Sequence, residues 1–194
     1  KLYLGGKLPL LTHVMLNLGL FKLGDPDNDV RTEANHFLQA IAKREFNQKF
    51  VIPRNNSVYH CYVKAQRDLA TQIAASNNSF SLELIENALM HLRFVDDSAR
   101  NRMFHYLSPF FYFVTLSADV PSTPSLLEKL VTLTHKYADS MTDIIVNIWT
   151  ILATKPINVQ SILNFLLSNC VNSRNTTLIS ISQYITSVLA EVQP

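Results

Sequence analysis

An all-α array of stacked antiparallel helix pairs, an α-solenoid, is the fold class this sequence predicts, and three observations predict it. Apolar residues recur at helical spacing in one stretch after another, with no strand pair between them. Glycine occurs only 4 times in 194 residues, and Gly5, Gly6 and Gly19 all precede residue 20. Few positions are left at which a tight hairpin or a phosphate-cradling loop finds the positive φ it needs. Helix starts near Leu8, Ser57, Asp97 and Met141 recur at roughly 40–50 residues, the interval of two-helix repeats.

Each element follows from its own residues. The first helix is predicted from Leu8 to Phe21, with Pro9 in a first turn. The second follows Asp25-Pro26-Asp27-Asn28-Asp29 and carries Val30, Ala34, Phe37, Leu38 and Ile41 on one face. Asp25-Pro26, Asp29-Val30-Arg31, Ala34 and Leu38 are similar to the pattern of a HEAT repeat's inner helix. After a polar loop at Pro53-Arg54-Asn55-Asn56, a third helix carries Val58, Tyr62, Ala65, Leu69 and Ile73, and Ser76-Asn77-Asn78-Ser79 breaks it. A fourth aligns Leu82, Ile85, Leu89 and Leu92. Asp96 and Asp97 then sit where a helix N-terminus favours negative charge. The fifth helix runs through Met103 and Leu107 to a kink at Pro109. Residues 117–124 form an internal linker between helix pairs. Ser125-Leu126-Leu127-Glu128 reads as a capping box opening a helix to Ala138. Three more helices complete the chain: Met141 to Ala153, Asn158 to Val171, and Thr176 to Val192. The whole of 1–194 reads as a single continuous solenoid segment of a longer chain, HEAT/armadillo-like in its period, with stripes left exposed for neighbouring repeats, Leu2 and Leu4 at one end and Ile185, Val188 and Leu189 at the other.

The totals narrow the function. Hydrophobic residues make up 47% and charged residues 16%, enough to bury a large core. A formal net charge of +2 does not point to nucleic acid as the main partner. Lys43, Arg44, Lys49, Arg54, Lys64 and Arg67 make one basic stretch, read as a solvated connection between helices or as a docking patch for an acidic partner. Cys61 and Cys170 fall in apolar helical patterns and make no disulfide framework, which favours a reducing, cytoplasmic setting. No secretory signal is visible, and no apolar run reaches the ~20 residues that span a bilayer. The Asn55, Asn77 and Asn175 sequons are coincidental in a chain this rich in Asn, Ser and Thr.

The sequence carries no phosphate-binding loop, dinucleotide fingerprint, nucleophile elbow or His-Glu-x-x-His zinc motif. The histidines His13, His36, His60, His91, His105 and His135 lie singly on different helices, so none pair as metal ligands one turn apart. His60 and Cys61 are neighbours whose side chains diverge by about 100° on a helix, which is no nucleophile–base pair. Asp25, Asp27 and Asp29 imitate the start of a calcium loop, but Val30 stands where that loop needs glycine and His36 where it needs glutamate. Helix capping accounts for them. No catalytic residue, metal site or cofactor is expected. Two features remain. Trp149 falls in an apolar stripe with Ile145 and Leu152 and reads as core. Phe110, Phe111, Tyr112 and Phe113 cannot all face one core; they pack on a neighbouring repeat or line a partner-binding groove.

Three stretches together resemble the Furry family of giant cell-morphogenesis scaffolds. The first is Gly24-Asp25-Pro26 through Val30-Arg31 and Leu38 to Lys43-Arg44-Glu45-Phe46. The second is Tyr62, Ala65-Gln66 and Leu69-Ala70, then Leu89-Met90-His91, then Arg102-Met103 and Tyr106-Leu107-Ser108-Pro109-Phe110, with Phe110 in place of the family's usual Trp. The third is His135-Lys136-Tyr137-Ala138-Asp139, then Val146 to Ala153, Pro156 to Val159, and Ile162 to Leu166, with Ala138 in place of the usual Gly. The resemblance covers residues 24–170 in one order. It implies a non-catalytic scaffold segment that supports NDR-class kinases and their Mob co-activators in cell polarity and morphogenesis, with association at microtubules or the cell cortex in some members. It transfers no contact residue, since the matched positions look like repeat core. The alternative function is an unrelated HEAT-repeat adaptor or transport-type binding protein, which calls for a regular inner row of acidic residues.

Overall fold

The computed structural model describes residues 12–45, 59–117, 119–170 and 175–192. Expectations placed on Leu2, Leu4, the turn from Leu8, Phe46, Asn55 and the side chain of Cys170 lie outside them. Among the described residues there are α1 (Thr12–Leu23), α2 (Asn28–Glu45), α3 (Tyr59–Ser76), α4 (Asn78–His91), α5 (Asp97–Phe113), α6 (Ser122–Tyr137), α7 (Thr142–Ala153), α8 (Pro156–Cys170) and α9 (Thr176–Val192). A single 3-10 turn, Leu92–Phe94, follows α4, and no strand occurs in the described residues. The starts of α3, α5 and α7 fall within two residues of those predicted at Ser57, Asp97 and Met141.

Short polar side chains open the helices. Asp27 Oδ1 accepts from the Asp29 amide at 2.8 Å, and Asp25 Oδ1 accepts from the Asp27 amide at 3.0 Å. Asp27 therefore caps α2, the role expected of it, while Asp25 closes the turn just ahead of the helix. Asp96 caps α5 through the Ala99 amide at 2.7 Å. Asn77 and Asn175, both in sequons, turn their side-chain oxygens onto the first amides of α4 and α9, at 3.0 Å each.

Packing sorts the helices into two rows. In one, α3 packs on α5, α5 on α7 and α7 on α9; in the other, α1 packs on α4, α4 on α6 and α6 on α8. α2 covers α1. There Gly19 permits the approach, because a Cβ at this position would lie 2.6 Å from Leu38 Cδ2. The core runs along the seam between the rows and includes Leu20, Leu69, Ile85, Leu107, Leu127 and Leu152. Trp149 is 1% exposed, and its Nε1 donates to Thr134 Oγ1 at 2.9 Å, which itself donates to the Leu130 carbonyl at 2.9 Å. Arg31 is buried, with its guanidinium on the Asp25 and Pro26 carbonyls at 2.8 and 2.7 Å and its carbon 5.5 and 5.2 Å from the Tyr59 and Tyr62 ring centres. One side chain thus ties the α1–α2 turn to α3.

After α5 the backbone of 114–117 leaves the helix, extended at Val114, and side chains supply its partners. Asn78 Oδ1 accepts from the Thr115 amide at 2.6 Å while its Nδ2 donates to the Thr115 carbonyl at 3.0 Å. Asn158, fully buried, accepts from the Leu116 amide at 2.7 Å and donates to the Val114 and Leu152 carbonyls at 3.1 Å each. Ser161 Oγ donates to the Leu116 carbonyl at 2.9 Å. Lys155 Nζ donates to the carbonyls of Phe113 and Val114, the latter at 3.0 Å, so its charge closes the negative end of α5. Burial pushes the pKa of this ammonium below its ordinary value.

Two local expectations give way, and Pro109 lies inside its helix. α5 continues through Pro109 to Phe113, and the ring leaves the carbonyl of His105, an exposed residue, without its helical donor. The capping box at Ser125–Glu128 does not form, because α6 already begins at Ser122, inside the 117–124 stretch, with Pro124 in its first turn. Ser125 Oγ instead donates to Glu86 Oε1 at 2.6 Å. Ile185, Val188 and Leu189, expected as an exposed stripe, are buried, since α9 packs on both α7 and α6. Ile157 and Leu167 are exposed apolar residues on α8, and Ile179 on α9.

Trp149→Ala is expected to lower the unfolding free energy by about 3–5 kcal/mol in urea titrations; an unchanged midpoint would contradict the core position. Asn158→Ala strands the Leu116 amide and is expected to cost about 2–3 kcal/mol in the same titration.

Candidate protein-docking surface

The aromatic cluster divides by helix face. Phe110 and Phe111 are buried, as successive positions of α5 turn toward the seam, whereas Tyr112 is 53% exposed and Phe113 half-buried. The Tyr112 and Phe113 rings meet edge to face with centroids 5.2 Å apart. Of the four residues singled out, two are core, one is presented to solvent, and one supports it.

Tyr112 stands in a groove of about 890 Å³ on the outer face of the α3–α5–α7 row. α5 forms its floor, with Phe104 and Phe111 below and Asn101, His105, Ser108 and Tyr112 facing outward. Those four recur at intervals of four, three and four, so they share one stripe of the helix. α7 supplies an apolar wall, Ile144, Ile148 and Ile151, again at helical spacing. α3 supplies a polar wall of Arg67 and Thr71, one turn apart. No carboxylate lines the groove; Asp68 and Asp143 are exposed beside it. The sequence marked Tyr112 through the aromatic run and Arg67 through the basic stretch. It did not mark the α7 wall or the polar stripe of α5, whose signal is the spacing of Asn101, His105, Ser108 and Tyr112.

A second, shallower groove of about 500 Å³ lies on the opposite row, lined by Met90, Lys129, Thr132, Lys136 and Tyr137 among others. Its centre is bound to the fold. Lys129 Nζ donates to Glu86 and, at 2.8 Å, to Ser125 Oγ, cross-linking α4 and α6. His60 is exposed and Cys61 half-buried on α3. No helix of the described residues is long and apolar enough to cross a membrane.

Burial raises the pKa of the Glu86 carboxyl, but hydrogen bonds from Lys129 and Ser125 and the charge of Lys129 outweigh it and hold the pKa below the ordinary 4.5. The stabilisation from this group is therefore complete above the ordinary value and is lost as pH falls through the lower, folded-state value. Denaturant titrations from neutral to acid pH are expected to show less acid sensitivity in Glu86→Gln than in the parent chain.

The comparison with curated protein sequences returns no match. The family described as the cell morphogenesis central region matches residues 2–192. Its span takes in the nine helices of the described residues, both rows and the groove, so the order of motifs that resembled the Furry proteins falls wholly inside it. The chain belongs to the cell morphogenesis central region family, the central region of the Furry-type proteins.

Proposed function

We propose that this chain is a non-catalytic scaffold segment, a HEAT/armadillo-like α-solenoid that supports an NDR-class kinase and its Mob co-activator during cell morphogenesis. Membership of the morphogenesis family is the observation that carries the reading. The two-row packing supports the solenoid part of it, because each helix after the first pair is packed by the equivalent helix of the next pair. The family's description as a central region supports a place within a longer array.

The mechanism is geometric. A stack whose neighbours are fixed by buried polar contacts holds two bound proteins at a set separation, and that raises their effective concentration without any change in chemical bonds. Work at the cell cortex or on the cytoskeleton is part of the same proposal.

The test is a pull-down from purified components, with the immobilised chain offered an NDR-class kinase with and without Mob. Retention of the kinase–Mob pair is the expected result. Retention only by a longer family chain that contains these residues would make this stretch a spacer between docking sites. Retention by neither would remove the kinase part of the proposal and leave the helical array.

A further inference from the structure

We infer that the groove between α3 and α7 receives an acidic amphipathic helix from a protein partner. The inference rests on the scaffold reading above and names the surface and the chemistry of what it takes.

Three features of the groove specify the occupant. The first is its shape. Its floor follows α5 from Asn101 to Phe113, about 18 Å at a rise of 1.5 Å per residue, which matches a ligand helix of about three turns. A trough between two helices and above a third is also the form into which a helix surface packs its ridges.

The second feature is the asymmetry of the walls. Ile144, Ile148 and Ile151 offer an apolar strip on the α7 side, with Phe111 beneath and the Tyr112 ring half in water. A partner helix therefore needs an apolar stripe at positions three and four apart, turned toward α7 and the floor. Tyr112 is the natural anchor contact, since a rigid aromatic with a polar tip gains much from desolvation at little conformational cost.

The third is charge. The α3 wall carries Arg67, and among the described residues its guanidinium has no ion-pair partner. Lys64 is exposed one turn earlier on the same helix. The groove itself contains no carboxylate, so a carboxylate on the flank of the incoming helix meets a cation and no repulsion inside the groove. A basic helix would face Arg67 with like charge. Asn101, His105 and Ser108 lie along the floor between the two walls and offer hydrogen bonds to polar groups at the stripe's edge.

The test uses the chain Lys1–Pro194 and a fluorescently labelled peptide of about 15 residues, long enough for partial helicity, with leucines at helical spacing and glutamates along one flank. A sister peptide carries lysine for every glutamate. Anisotropy is expected to show the glutamate peptide bound and the lysine peptide not. Arg67→Glu is expected to weaken the glutamate peptide about tenfold and to admit the lysine peptide. Tyr112→Ala is expected to weaken the glutamate peptide with no change in the circular dichroism of the chain, since both altered side chains are exposed. No binding of the glutamate peptide, equal binding of the two peptides, or binding indifferent to Arg67→Glu would each overturn the inference. The kinase pull-down separates the two proposals. Capture of kinase and Mob that is unchanged by Arg67→Glu, with no peptide binding, removes the groove and keeps the scaffold reading. Peptide binding without capture does the reverse.

Discussion

The crossing between α5 and α6 is the constraint on which the two-row arrangement depends. The backbone of 114–117 is outside the helices, with Val114 and Leu116 buried, so its amides and carbonyls need partners that no neighbouring strand supplies. Asn78, Lys155, Asn158 and Ser161 supply them from the first turn of α4 and from the start of α8. An asparagine suits the task because one short side chain both accepts and donates. Asn158 uses that capacity to join the crossing to the last carbonyls of α7 as well. The ends of α5 and α7 and the beginnings of α4 and α8 are therefore fixed to one another at a single point.

Other polar contacts inside the seam set the register of the rows. Asn17 donates to the Leu84 carbonyl at 3.0 Å and to Asn87 Oδ1 at 2.9 Å, and it accepts from the Tyr106 hydroxyl at 3.2 Å. Burial drives the pKa of that hydroxyl above its ordinary value, so the phenol remains a hydrogen-bond donor throughout the physiological range. Gln66 reaches from α3 to the Leu20 carbonyl of α1. Apolar surfaces alone tolerate sliding, because dispersion and burial change little when one leucine replaces another at a contact. A buried donor that loses its acceptor does not tolerate it. The helices are thereby held at defined spacings.

Much of this was legible in the sequence, and the rest was hidden for a physical reason. Period and turn residues located the helices, Asp27 and Asp96 were read correctly as caps, and Trp149 was placed in the core. These depend on residues within a turn or two of each other. The clamp depends on partners separated by 37 to 45 positions, and nothing local distinguishes Asn158 from any other helix-opening asparagine. The same separation explains Ser125. Its local pattern is that of a cap, yet the Glu86 carboxylate, brought close by the packing of α4 on α6, offers its hydroxyl a charged acceptor. The groove over α5 was half visible for a similar cause. Exposed aromatic and basic residues stand out in a sequence, but the walls that frame them belong to neighbouring helices.

That framing follows from the row itself. A helix in the middle of a row buries its flanks against two neighbours, so its outward stripe becomes the floor of a trough. Along α5 the floor residues divide by constraint. Phe104 and Phe111 fill space between helices, and a change there alters packing density. Asn101, His105 and Tyr112 face outward, and a change there leaves the core untouched. One stripe of one helix can therefore vary in chemistry while the stack that presents it stays fixed, independently of the clamp that holds α5 in place.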